Sequence, residues 1–557
     1  MTHISGREAF LEILRQEGVT CLFGNPGSTE LPLMDALQGH KEIRYFLALH
    51  EGVAISMADG YARASGRLGV VNVHISPGIG NSMGMLYNAY KAGSPLLVTA
   101  GQQDQSFAIT EPILWSDLPQ VARPYVKWSY EIRRLEDLPR AVHRAAKVAM
   151  SAPTGPVFLS LPMDVLNAEG ELDLSAPTRI DSRLSPSLES IQKAAEMLIN
   201  ASNPIIIAGD AVAQQDAHAE LAEVAELIGA PVYGETVSGT CNFPSSHPLS
   251  LGPLLRSQKE TRAALEGADV LFSAGADILT MSLPSKIDPV PPGLRIIHLH
   301  LDPWEIGKNY PAAIAIQADP KVTLTELGKV LRKQTTPDSM KKAQLRLERI
   351  RKGKEKNLTD LRKKAEEESK LSPITPMALM KTIGDSLPAN AVVVDETITS
   401  GRALRALIRS EDPKGYFGLR GGGIGWGIPG ALGVKIAMPD RPVVSLIGDG
   451  SALYSMQGLW TAARYRLAVV FVICNNRGYR ILKERTHALK GFSARTGSYI
   501  GMDLEDPVID FVGLARSLGV LGERLEKIEQ IRPGLKKAME KDGPYLIDVG
   551  IDPRFKE

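Results

Sequence analysis

The chain has 557 residues, 44% of them apolar, and 64 basic side chains stand against 63 acidic ones. That balance leaves no net field to draw in nucleic acid or an anionic membrane, so a small-molecule role is favoured. Cys21, Cys241 and Cys474 are far apart and form no CxxC pair, which argues against both a disulfide framework and a zinc site. The length suggests about three or four domains. The N-terminal MTHISGREAF has charges where a signal peptide needs an apolar core, and no run is long enough to span a bilayer. A cytoplasmic location is the expectation.

Residues 1–180 alternate helical segments with short apolar strands, the pattern of a doubly wound parallel sheet. A helix over Gly6 to Glu17 leads into a strand at Cys21-Leu22-Phe23, then a turn-rich loop, GNPGS, that can present Ser28 at the strand's carboxyl end. Ser28 could equally cap a helix starting near Thr29. The next strand, Tyr45 to Leu49, ends at His50-Glu51 before a helix that runs to Ala64. Glu51 reads either as a dipole-complementing charge or, if buried, as a carboxyl useful as an acid. Val70 to Ile75 is expected as a strand containing His74, followed by SPGIGN and a Met-rich helix. The spacing Gly78, Gly80, Gly84 misses the dinucleotide fingerprint GxGxxG. Three successive strand ends would bring Ser28, Glu51 and His74 to one sheet edge, where open α/β sheets bind ligands.

Residues 191–335 read as a second α/β unit with strands at Pro204 to Ala208, Pro231 to Tyr233, Val270 to Ala274 and Arg295 to Leu301. His298 and His300 alternate along the last strand, as core or surface residues or as a conceivable metal pair. Residues 336–372 form a charged linker of one or two solvent-facing helices. The last domain, 373–557, begins with a strand at Ala391 to Val394 that ends in DETITS, hydroxyls expected at a helix start. GLRGGGIGWGIP, Gly418 to Pro429, has more glycine than any turn needs and lets a ligand approach the backbone.

Val443 to Tyr479 reads as strand, helix, strand, with apolar runs Val443 to Ile447 and Ala468 to Cys474 around a helix from Ser455 to Tyr465. Asp449 ends the first strand and Asn475-Asn476 the second, a set of oxygens suited to a hard cation such as Mg²⁺. Gly448, Gly450 and Ser451 offer unobstructed N–H groups and a hydroxyl for phosphate.

GDG followed about two dozen residues later by Asn-Asn resembles the cofactor signature of the thiamine diphosphate enzymes. GNPGSTELPLMDAL, ALHEGVAISMADGYARAS, VNVHISPGIGN, SPLLVTAGQQ and PYVKWSYE are similar to the pyrimidine-binding domain of 2-keto acid decarboxylases of the benzoylformate type and of acetolactate synthases. The resemblance covers the first 165 residues and about 390 to 485. It implies three doubly wound parallel-sheet domains: pyrimidine-binding, central and diphosphate-binding.

It also implies roles. Asp449, the Asn476 side chain and the Gly478 carbonyl would hold Mg²⁺. Glu51 would hydrogen-bond the aminopyrimidine, Ser28 would contact the substrate carboxylate and His74 would relay protons. The Gly422 carbonyl would accept from the 4′-amino group and Ile424 would be the wedge that bends the cofactor. Thr399, Ser400, Gly450, Ser451, Tyr454 and Tyr479 would neighbour the diphosphate.

The implied reaction is decarboxylation of a 2-keto acid to an aldehyde and CO₂, with carboligation of the acetolactate-synthase kind as the near alternative and a non-catalytic relative as the distant one. The implied assembly is a homodimer or homotetramer with intersubunit active sites. Two departures bear on substrate. The second active-site histidine of the benzoylformate type is missing from Asp277 to Ser285, where Ser282 falls nearest. After Tyr479, charged residues replace the expected aromatic pocket: Arg480-Ile481-Leu482-Lys483-Glu484-Arg485. That run is either a solvated helix face or a sign of a more polar acyl donor, with Ile481 and Leu482 as substrate candidates. Ile113, Leu114 and Trp115 could line an apolar side. No FAD pattern is visible around Gly275-Ala276-Asp277.

Overall fold

The computed structural model describes residues 1–282 and 285–555. It contains three parallel sheets flanked by helices, in two compact units: 1–180 with 393–399 and 419–557, and 181–392 with 400–418. Among the described residues no helix is long and apolar enough to cross a membrane.

In the first unit, the N-terminal sheet runs in the order Arg44–Leu47, Cys21–Asn25, Gly69–Val73, Leu96–Gln102, Val157–Pro162 and Ser129–Glu131, all parallel. The C-terminal sheet continues from Val392–Glu396 through Val443–Gly448, Val469–Asn475 and Tyr545–Gly550 to Leu521–Leu525. Gly69–Val73 and Val443–Gly448 are buried along nearly their whole length, as strands covered on both faces must be.

Several local expectations change. The strand before His74 stops at Val73, and His74 is the N-cap of a helix, Ile75–Ala92, that absorbs SPGIGN. Ser28 starts a short 3₁₀ turn, Ser28–Glu30, and caps nothing. The helix expected from Ser455 to Tyr465 is shorter, Gly458–Arg464, and an unanticipated single turn, Asp449–Ala452, precedes it. Thr399 and Ser400 lie in a turn, since the next helix begins only at Leu404.

Two helices tie the halves of this unit together. Glu51–Ser65 is buried almost all round, and Gly427–Ala437 is buried over its first eight residues. A Cβ on Gly433 would sit 1.9 Å from the Met57 carbonyl oxygen, and one on Gly60 would sit 2.1 Å from that of Gly430. The helices therefore touch backbone to backbone, which only glycine permits. Trp426 marks the direction. Its indole Nε1 donates to Asp59 at 2.6 Å, and the Arg63 guanidinium lies 5.0 Å from its ring centroid. Residues 426, 430 and 433 thus meet 59–63, 60 and 57 in turn, so the helices run antiparallel. Asp59 is fully buried, which pushes its carboxyl pKa upward, against the opposing pull of Arg63, Ser94 and Trp426.

The second unit has its own parallel sheet, in the order Ser250–Pro253, Val232–Gly234, Pro204–Ala208, Val270–Ala274, Arg295–His300 and Ile314–Gln317. Its core is aliphatic, from Ile191 through Ile206 and Phe272 to Leu331. The first and last strands, each four residues long, were not anticipated from the sequence. His298 is buried, with Nε2 3.0 Å from the Ala276 carbonyl, and desolvation lowers its pKa to about 4. His300 is half-buried, with Nε2 3.5 Å from Asp277, and no group of three metal-ligating side chains occurs among the described residues. The charged segment forms one helix of 32 residues, Pro337–Glu368.

The helix contact makes a stability prediction. Gly433→Ala should cost more than about 2 kcal/mol, because a rigid carbonyl blocks the added methyl. Gly353→Ala, mid-helix with nothing within 4 Å, should stabilise by about 0.5–1 kcal/mol. Urea unfolding of both variants checks the contrast.

Candidate active site

The C-terminal sheet edge gathers Asp449, Gly450, Ser451, Asn476 and Gly478. Strands Val443–Gly448 and Val469–Asn475 are paired in register up to Gly448 opposite Cys474, so Asp449 and Asn475-Asn476 leave the sheet side by side. Asp449 is 3% exposed and accepts from the Gly478 N–H at 3.1 Å. Burial pushes its pKa up to about 6, against its backbone donors. No cationic side chain pairs with it among the described residues. Asn476 is also buried, and its Oδ1 has no hydrogen-bond partner. A buried carboxylate without a counter-charge beside an orphaned amide oxygen is a costly arrangement unless a cation completes it.

Asn475 does different work. Its amide donates to Asp548 at 3.0 Å and its Oδ1 accepts from the Arg477 N–H at 3.2 Å. One asparagine holds the loop, and the other offers an oxygen to the site.

The glycine-rich loop lies against this edge. Gly422 (φ +90) and Gly425 (φ +103) take backbone angles that disfavour side chains, and a Cβ on Gly425 would meet Tyr454 at 2.6 Å. Tyr454 is exposed, and Tyr479 packs where a Gly450 side chain would be. Glu396, 2% exposed, pins the loop by accepting from the N–H groups of Gly425 at 2.6 Å and Gly427 at 2.5 Å. Its burial raises its pKa to about 7 against those donors. Sequence reading passed over Glu396, although its place at a strand's carboxyl end was a usable signal.

The N-terminal sheet edge carries Glu51, Ser28 and His74, as expected. Glu51 opens its helix, buried, and Oε2 accepts from the Asn81 amide at 3.0 Å. Oε1 faces Gly78, where a Cβ would come within 3.3 Å. Ser28 is exposed. His74 Nδ1 lies 2.8 Å from Glu30, a carboxylate missed in the sequence. Leu114 is half-buried, and its carbonyl accepts from the hydroxyl of Ser76, two residues after His74. Trp115 beside it is 37% exposed.

Other expected residues are placed differently. Ser282 is exposed in the second unit; its neighbours Leu283 and Pro284, part of the stretch where a second histidine was sought, lie outside the described residues. Ile481 is half-buried and Leu482 is 44% exposed on the helix Arg480–Ala488. Three of the four charges in the run Arg480 to Arg485 are engaged within their own domain. Arg480 pairs with Glu484 at 3.1 Å and donates to the Asp552 carbonyl, and Lys483 pairs with Asp503. These three charges are tied within the protein, which weighs toward the solvated helix face of the two readings of this run.

The two edges do not meet within one chain. Glu51 opens its helix, whereas Trp426, at the end of the glycine-rich loop, sits against Asp59 and Arg63. Twelve helical residues separate Glu51 from Arg63, about 18 Å of rise. A second helix agrees. Asn81 reaches Glu51, while Asn88, seven residues or about 10 Å further on, exchanges hydrogen bonds with Gly423 at 2.7 and 3.0 Å.

Comparison with known proteins fits this geometry. Family models described as the thiamine pyrophosphate enzyme N-terminal TPP binding domain, central domain and C-terminal TPP binding domain match residues 4–112, 191–327 and 399–549. Benzoylformate decarboxylase of Pseudomonas aeruginosa is 33% identical, over 97% of this chain and 98% of its own. A probable acetolactate synthase large subunit of Methanocaldococcus jannaschii is 31% identical, over 99% and 92%. Among solved structures, the thiamine diphosphate-dependent 4-hydroxybenzoylformate decarboxylase of Rhodococcus jostii superposes with a TM-score of 0.86 at 32% identity, over 99% of this chain and 100% of that one. By fold and by sequence, this chain belongs to the thiamine pyrophosphate enzymes, related to benzoylformate decarboxylase and acetolactate synthase.

Proposed function

We infer that the protein decarboxylates an uncharged aryl or alkyl 2-keto acid to an aldehyde and CO₂, using thiamine diphosphate and Mg²⁺. One observation carries the cofactor reading: the uncompensated Asp449 carboxylate beside the orphaned Asn476 oxygen, buried at a strand edge next to open glycine backbone. These residues fit the group. Asp449, Asn476 and the Gly478 carbonyl would hold the metal, with Thr399, Ser400, Gly450, Ser451, Tyr454 and Tyr479 around the diphosphate. Gly422 and Ile424 would set the bent shape.

When bound, thiamine diphosphate supplies the electron sink for the carbon–carbon bonding pair as carbon dioxide leaves. The chain's own residues bind, orient and exclude water. Glu51, with Oε2 held by Asn81, offers Oε1 to the aminopyrimidine. Exposed Ser28 receives the substrate carboxylate, and His74 holds or returns a proton at Nε2. Leu114, Trp115, Ile481 and Leu482 supply an apolar wall, where charge dispersal on decarboxylation is favoured. The ion-paired charges after Tyr479 support an uncharged side chain on the 2-keto acid over an anionic one. The missing second histidine leaves His74 to carry more of the proton traffic. Carboligation uses the same residues and differs only in what captures the product carbon.

The same geometry supports a shared assembly. One cofactor must meet Glu51 and Gly422 together, yet a single chain holds them at opposite ends of a helix pair. The site therefore takes Glu51 from one subunit and the Gly422 loop from another, in a homodimer or a pair of dimers. We assign the chain as pyrimidine-binding (1–180), central (191–335), linker (336–372) and diphosphate-binding (373–557) segments.

Thiamine diphosphate with Mg²⁺ at about 100 times Kd should stabilise the protein by about 2.7 kcal/mol, or a Tm rise of about 2–4 °C. Asp449→Asn should abolish that shift, and a wild-type protein that shows none lacks the cofactor site. A panel of aryl and alkyl 2-keto acids, assayed for CO₂, aldehyde and acyloin, tests the reaction. The aldehyde should match CO₂ in amount, and Glu51→Gln should lose at least about 100-fold in kcat. Acyloin as the main product would favour the carboligase reading, and full activity in Glu51→Gln would contradict the role given to Glu51.

A further inference from the structure

Glu30 is 1% exposed and surrounded by donors. Its Oε1 accepts from the Gly101 N–H at 2.8 Å and from the Thr29 hydroxyl at 2.8 Å, and its Oε2 accepts from the Gly27 N–H at 2.9 Å. Both oxygens are thus acceptors, as an ionised carboxylate requires. His74 Nδ1 lies 2.8 Å from Oε2 and 3.2 Å from the Thr29 oxygen. The Thr29 proton already points to Glu30, so both neighbours of Nδ1 can only accept from it. Nδ1 must carry a hydrogen.

The surrounding backbone is shaped for this contact. A Cβ on Gly27 would fall 2.1 Å from His74 Nδ1, and one on Gly101 would fall 2.4 Å from Glu30 Oε1. Ile75, directly after the histidine, is buried with φ +34, an unusual angle for a β-branched residue. The chain accepts that strain and two obligatory glycines around the pair. The imidazole is otherwise partly open: the His74 side chain is 21% exposed, and Nε2 makes no hydrogen bond among the described residues.

We propose that Glu30 is a positioning residue that fixes His74 in the Nδ1–H tautomer, so that its unprotonated Nε2 faces the reaction edge as the proton-accepting atom. The proposal rests on the proton-carrying role given to His74 above. A buried carboxylate holding one imidazole nitrogen sets the tautomer and orientation of the ring and stabilises the cation formed when the other nitrogen takes a proton. Thr29 acts as the second latch. A structural reading competes, because Gly27 and Glu30 also have capping-box spacing for the short 3₁₀ turn.

Two measurements separate these readings. In the histidine-¹⁵N-labelled holoenzyme, with the His74 resonances assigned by their loss in His74→Ala, Nδ1 should be protonated and Nε2 bare. An Nε2–H tautomer overturns the proposal whatever the kinetics. With benzoylformate as the probe substrate, Glu30→Gln should lower kcat roughly 10- to 100-fold with KM within about twofold, because its amide turns a donor toward Nδ1. In the His74→Ala background, the same change should cost nothing further. An equal loss in both backgrounds makes Glu30 a structural cap and overturns the proposal. If His74→Ala alone keeps full kcat, the proton-carrying role fails, and the tautomer remains decided by the ¹⁵N shifts.

Discussion

The contact between helices Glu51–Ser65 and Gly427–Ala437 is the constraint on which the rest depends. Gly60, Gly430 and Gly433 bring the two backbones together, and the Trp426–Asp59 hydrogen bond fixes their direction. Such a joint tolerates no added methyl, so it locks the N-terminal and C-terminal sheets of the first unit to each other. It also sends Glu51 and the glycine-rich loop to opposite ends. That separation within one chain is what the proposed sharing of a site between two subunits rests on.

Each half-site is built on buried carboxylates with different partners. Glu396 and Glu30 are saturated by backbone N–H groups and act as pins, one for the loop of Gly422 and Ile424, the other for His74. Asp449 has backbone donors but no counter-charge, and it stands beside an unsatisfied amide oxygen. Burial alone does not distinguish a strut from a ligand site. What the carboxylate lacks does.

Much of this was legible in the sequence, because strand ends can be read from apolar runs. Ser28, Glu51, His74 and the Asp449/Asn476 pair all emerge at sheet edges, where the βαβ pattern puts them, and Pro204–Ala208 and Val270–Ala274 have the expected limits. Where reading failed, local pattern was overruled by distant contacts. His74 looked like strand because it follows three valines and an asparagine, yet it caps a helix and lies against Glu30 and Thr29. The charges after Tyr479 could be read two ways because the partners of Arg480 and Lys483, Asp552 and Asp503, lie downstream. Glu30 was passed over for the same reason: its meaning depends on Gly101 and His74, which only the folded sheet brings near.

The central claim is that a working site takes Glu51 from one chain and Asp449 from another. Mixing subunits tests it directly. Chains carrying Glu51→Gln and chains carrying Asp449→Asn, each inactive alone, should recover roughly a quarter of wild-type activity when dissociated together and reassembled in equal amounts, because half the dimers are mixed and each has one intact site. No recovery in demonstrably mixed dimers would place both residues of each site on the same chain and contradict the account.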